Sequence, residues 1–141
     1  MTVQHEIKSQ LAKLLATEDL MVEHKNVETA QFNVHTRVLQ LPNWNTSNRV
    51  YDALVAHEVG HALFTPDVDP PKSVPHTFLN ITEDVRIEKL MKRKYMGLAK
   101  TFYRGYNELA DNDFFEIDGK DVDTLNLADR VNLYFKIGSF V

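Results

Sequence analysis

The segment His57-Glu58-Val59-Gly60-His61 carries the residue types of a metal-dependent hydrolase at the spacing that chemistry needs. On an α-helix, side chains four apart share a face, one turn above the other. His57 and His61 can therefore grip one metal ion, and zinc is the usual occupant of such a pair. Glu58, beside the first ligand, is placed to act as general base toward the attacking water. The chemistry predicted is hydrolysis of a peptide bond, with Zn2+ as cofactor and a peptide or protein as substrate.

The surrounding sequence supports a helix from Arg49 to Phe64. Val50, Tyr51, Ala53, Leu54, Val55, Ala56, Val59 and Ala62 make it apolar on most sides, as in a helix of a protein interior. Two histidines and a glutamate are costly there unless something pairs with them. Gly60 costs about 1 kcal/mol against alanine inside a helix. Close approach of another backbone segment would account for it.

A catalytic zinc takes three protein ligands and keeps one open position. The third ligand is sought in the stretch Asn80-Ile81-Thr82-Glu83-Asp84-Val85-Arg86-Ile87-Glu88, where apolar residues surround the acids. Asp84 is favoured over Glu83. Glu88, four residues after Asp84 on the same face, can hold a ligand histidine by its second ring nitrogen. Asn80, four residues before Asp84, belongs to the same supporting set. Arg86 can neutralise the acid left off the metal. His76, Tyr103 and Tyr106 are candidates to steady a developing oxyanion. His5, His24 and His35 lack partners at ligand spacing.

These residues need elements to position them. Ile7, Leu11, Leu14 and Leu15 predict an amphipathic helix over residues 3–16. Residues 20–41 carry period-two and β-branched signals, which predict two or three short strands closed by Pro42. An edge strand near residues 30–41 could pair with an extended peptide. Ser47 or Asn48 can cap the histidine helix. Residues 65–75 hold four prolines and form a loop containing Asp67 and Asp69. Helices are expected at Val74–Tyr95, Leu98–Ala110 and Leu125–Ile137, the last capped by Asp123 or Thr124. Asp118-Gly119 is a hairpin turn signal. The fold class is α+β, mostly helical, with a small antiparallel or mixed sheet before the histidine helix.

The pairing of HEVGHALFTP (His57 to Pro66) with NITEDVRIE (Asn80 to Glu88) resembles the zincin-type HExxH metallopeptidases. Within them it is similar to the metallopeptidase-like region beside von Willebrand factor A domains in cobaltochelatase CobT-type proteins and related tailed-phage proteins. The resemblance covers roughly residues 30–110. It implies zinc on His57 and His61, Glu58 as base, and an acidic ligand from the Glu83-Asp84 pair. It also implies an alternative role, a non-proteolytic zinc-binding module in a chelatase-like assembly with an A-domain or ATPase partner.

Composition bounds the rest. The chain has 141 residues, the size of one domain, and 43% hydrophobic with 26% charged residues is a globular balance. The apolar end at Phe140-Val141 is read either as a buried terminus or as the edge of an N-terminal portion of a longer protein. A net charge of −4 gives no support for nucleic-acid binding. The absence of cysteine excludes disulfides and thiolate metal sites. No signal peptide or membrane span is legible, so the expected location is the cytoplasm, that of the host if the protein is viral.

Overall fold

A helix that is apolar nearly all round has to be enclosed, and this requirement organises the chain. The structure, a computed structural model, describes residues 11–13, 15–43, 47–111 and 125–137. In chain order these form strands β1 (Met21–Lys25), β2 (Gln31–Asn33) and β3 (Val38–Pro42). Helices α1 (Asn48–Phe64), α2 (His76–Lys94), α3 (Leu98–Asp111) and α4 (Leu127–Ile137) follow. Residues 11–13, 15 and 16 are also helical. The rest of the expected first helix, the turn at Asp118-Gly119, the caps at Asp123 and Thr124, and the chain end lie outside the described residues. The architecture is α+β, mainly helical with a small mixed sheet. No described helix is long and apolar enough to cross a membrane.

The sheet has the order β1-β3-β2. β1 runs parallel to β3 and β2 antiparallel to it, with Phe32 opposite Leu39. The β2–β3 turn is built by Asn33, whose side-chain oxygen accepts from the backbone N–H of His35 (2.8 Å) and Thr36 (3.0 Å). Such local bonds are what asparagine supplies in turns. Arg37 closes the turn at φ 59°. Its guanidinium then binds Glu18 and donates to the Ala62 carbonyl at 2.8 Å, which ties the hairpin to α1 beside His61.

α1 is fixed at both ends. Ser47 caps its start, its hydroxyl accepting from Val50 N–H at 3.3 Å. The Tyr51 hydroxyl donates to the Pro42 carbonyl at 2.7 Å and locks the first turn onto the end of β3. Leu39 and Leu41 of β3 are fully buried and join Val50, Val55 and Val59 of α1 in the core. At the far end the Thr65 N–H closes on the His61 carbonyl, and Arg86 of α2 donates to the Phe64 carbonyl at 2.6 Å. Together these satisfy carbonyls that a helix terminus would otherwise leave open.

α2 and α3 pack closely on α1 through two glycines. A Cβ on Gly60 would stand 2.7 Å from Ile87 Cδ1 and 3.0 Å from Met91 Cγ. The close neighbour there is thus a pair of α2 side chains, not the backbone segment expected from sequence. Backbone approach occurs instead at Gly105 of α3. A Cβ there would meet Ala53 Cβ at 2.3 Å and the Arg49 carbonyl oxygen at 2.9 Å. The end of a flexible isoleucine can give way, whereas a carbonyl on the central helix cannot move alone. Gly105→Ala should therefore lower stability by about 1–3 kcal/mol, the usual cost of overpacking. Gly60→Ala should cost less, since its neighbour is the end of a side chain that can shift; the roughly 1 kcal/mol of helix propensity gained with alanine is common to both positions. Urea denaturation of the two variants checks the order; equal stabilities would contradict this packing.

Candidate metal centre

α1 and α2 cross so that His57, His61 and Asp84 meet, with one ligand atom from each lying within 4.8 Å of the others. The Nε2 atoms of His57 and His61 stand 3.2 and 3.1 Å from a single oxygen, Asp84 Oδ1. The outer sides of the two rings decide what those Nε2 atoms carry. His57 Nδ1 lies 2.7 Å from Glu88 Oε2, and the Tyr106 hydroxyl donates to that same oxygen at 2.5 Å. A carboxylate only accepts, so Nδ1 is the protonated nitrogen of His57. His61 Nδ1 lies 2.8 Å from Thr65 Oγ1, whose one hydrogen goes to Glu83 Oε2 at 2.6 Å. Thr65 must then accept from His61, and Nδ1 is the protonated nitrogen there too.

Were both rings neutral, each would turn a lone pair inward, onto a carboxylate oxygen that is itself an acceptor. Three acceptors facing one another need a cation between them. In the metal-free chain a proton serves. Burial opposes charge on His57, but hydrogen bonds to Asp84 and Glu88 outweigh it and push the ring up to about 10. Burial likewise raises Asp84, but its bonds to His57 and His61 prevail and hold its carboxyl well below the usual range. A divalent ion fits the same donor set: two imidazole nitrogens with their second nitrogens fixed, and one carboxylate oxygen.

Glu58 is 9% exposed, and burial raises its pKa against the opposing pull of His57 and His61. It lines a cleft of about 500 Å³ together with His57, His61, Asp84, Glu83 and Asn80. The wall across the cleft includes Ala30, Gln31, Phe32 and Val34, so β2, at the edge of the sheet, runs along its rim. Val34 itself lies in the turn after β2.

The other sequence candidates fall into two groups. Glu88 contacts His57, and Glu83 joins Thr65 and Arg86 on the far side of His61. Asn80 is exposed and bonds His76 at 3.3 Å, with no bond to a ligand histidine. Tyr103 is 58% exposed, and the Tyr106 hydroxyl is committed to Glu88. Asp67 pairs with His35 on the surface, and neither it nor Asp69 lines the cleft. His5 lies outside the described residues.

Three site residues were not anticipated in these positions. Thr65 carried a signal: it stands four residues after His61, on the same helical face. Tyr106 enters as the partner of Glu88 and Lys136 as the partner of Asp84, and both arrive from later helices with no local motif. No protein-family model matches the chain, and no curated protein or solved structure matches it.

His61→Ala should abolish binding of one zinc per chain, read by elemental mass spectrometry. Glu88→Gln and Thr65→Val should weaken zinc about 10- to 100-fold, the usual effect of removing a ligand's outer partner. Chelator competition measures this, and unchanged affinity in both would mean that the outer bonds do not orient the rings. Because zinc must displace the proton held among the three acceptors, binding near pH 7 should release roughly one proton per ion. That proton appears as a dependence of the binding enthalpy on buffer ionisation enthalpy.

Proposed function

We propose that this protein is a zinc-dependent metallopeptidase in which Glu58 is the general base. The observation that carries the reading is the pair of inward histidine Nε2 atoms facing Asp84 Oδ1, with a buried carboxylate in the same cleft. His57, His61 and Asp84 would hold the ion. When bound, zinc supplies Lewis acidity, which makes water a nucleophile near neutral pH and polarises a carbonyl.

The chain's own residues supply the rest. Burial makes Glu58 a stronger base than an exposed carboxylate, which suits it to take a proton from water. The water oxygen bonds to the amide carbon, and the carbonyl π pair moves onto oxygen. Collapse of that adduct breaks the C–N bond, and Glu58 returns its proton to the departing amine. One water is consumed, and a carboxylic acid and an amine are formed. An extended peptide suits the cleft, since β2 at its rim is a sheet edge whose described pairing is with β3 alone. Main-chain hydrogen bonds to such an edge bind peptides with little regard to sequence.

Glu58→Gln tests the proposal. Zinc content should stay near one per chain, while hydrolysis of an unfolded protein substrate should fall about 10²- to 10⁴-fold, the range for loss of a general acid–base group. Equal cleavage by the variant, or no cleavage by the zinc-loaded wild type across a peptide library, would overturn it. Iron in place of zinc would do so as well, because two histidines and one carboxylate also serve iron oxygenases.

A further inference from the structure

We infer that Lys136 is the anion-binding arm of this site, its ammonium placed to hold the negative oxygen that develops when a carbonyl is attacked beside the His57–His61–Asp84 trio. The inference rests on the metallopeptidase reading and adds a residue to it.

Leu133, 5% exposed, anchors α4 in the core. Lys136 follows three residues later, so it lies on the same face of the helix. Its stem is held in, leaving the side chain 23% exposed, and Nζ stands 4.0 Å from Asp84 Oδ2. That oxygen is the one turned away from the histidines. Nζ also lies 5.9 Å from the centre of the Tyr106 ring. At 4.0 Å the contact with Asp84 is electrostatic and not a hydrogen bond. The three N–H donors of the ammonium therefore remain available to another acceptor.

Elimination points the same way. Among the described residues that line the cleft, Lys136 is the only lysine or arginine. Tyr106 and Thr65 give their hydroxyl hydrogens to Glu88 and Glu83. Gln31 and Asn80 offer only neutral amides, and Thr29 only a neutral hydroxyl. A fixed positive charge in a partly enclosed cleft is where transition-state stabilisation is largest, because water screens it less than in bulk. The charge of Lys136 also acts on both Glu58 and Asp84.

Inorganic phosphate, a tetrahedral oxyanion, is the probe, titrated calorimetrically into the zinc-loaded protein. Lys136→Met keeps the apolar stem and removes the charge. It should weaken phosphate about 10- to 100-fold, as expected when a charged donor is lost, and Lys136→Arg should recover most of the affinity. Zinc affinity, from chelator competition, should be unchanged or tighter in Lys136→Met, since a positive charge near a dication is removed. Weaker zinc would mean that Lys136 merely holds Asp84 in place, and the inference would be wrong. Unchanged phosphate binding, or none in the wild type, would also overturn it while leaving the zinc site standing. A wild type that takes no zinc would remove the functional reading and this inference together.

Discussion

Two imidazole nitrogens and a carboxylate oxygen that must share a positive charge set the terms for this structure. These atoms are brought within reach across the α1–α2 contact, and among the described residues no other side chain supplies a hydrogen between them. Such a grouping is repulsive until a positive charge joins it. Everything around the site serves to keep the three acceptors from turning away. The crossing of α1 and α2 at Gly60 lets the helices come close enough, and Ile87 and Met91 fill the remaining space. The sheet, through Arg37 and Tyr51, holds α1 in position from its other side.

Rotation of the rings is blocked from outside by two unlike relays. On His57 the relay runs through Glu88 to Tyr106, and so engages α3. On His61 it runs through Thr65 to Glu83 and on to Arg86, which also closes the end of α1. One relay ends in a buried phenol and the other in an exposed guanidinium. Burial, followed by the nearby Glu88 charge, raises the Tyr106 hydroxyl well above its ordinary range, so it stays a donor at neutral pH. The first relay is therefore insulated from solvent, while the second is open to it.

Much of this was legible in the sequence, for identifiable reasons. The apolar run around His57 could only be an interior helix, and the i, i+4 spacing put its two histidines on one face. Short β-branched stretches before it gave strands, although the parallel pairing of β1 with β3 depends on a crossover that no local pattern encodes. Asp84 and Glu88 share a face by spacing alone. Which ring each would meet depended on how two helices cross, and their close approach runs through Gly60. Gly60 could be marked as unusual, but its neighbour could not be named, since Ile87 and Met91 lie about three and four helical turns into the next helix. Lys136 is the extreme case: it reaches Asp84 from the last described helix, where a lysine three residues from a leucine looks like any amphipathic surface.

The end of α1 deserves a mechanical description. His61, Thr65 and the first proline of the loop, Pro66, lie within six consecutive residues. The same threonine that terminates the helix through its backbone also fixes the His61 ring through its side chain. The proline-rich segment is thus joined to the His61 ring by a path that does not pass through the core. A change in the conformation of that segment would therefore reach the His61 ring first, through one residue that is both helix stop and ring partner.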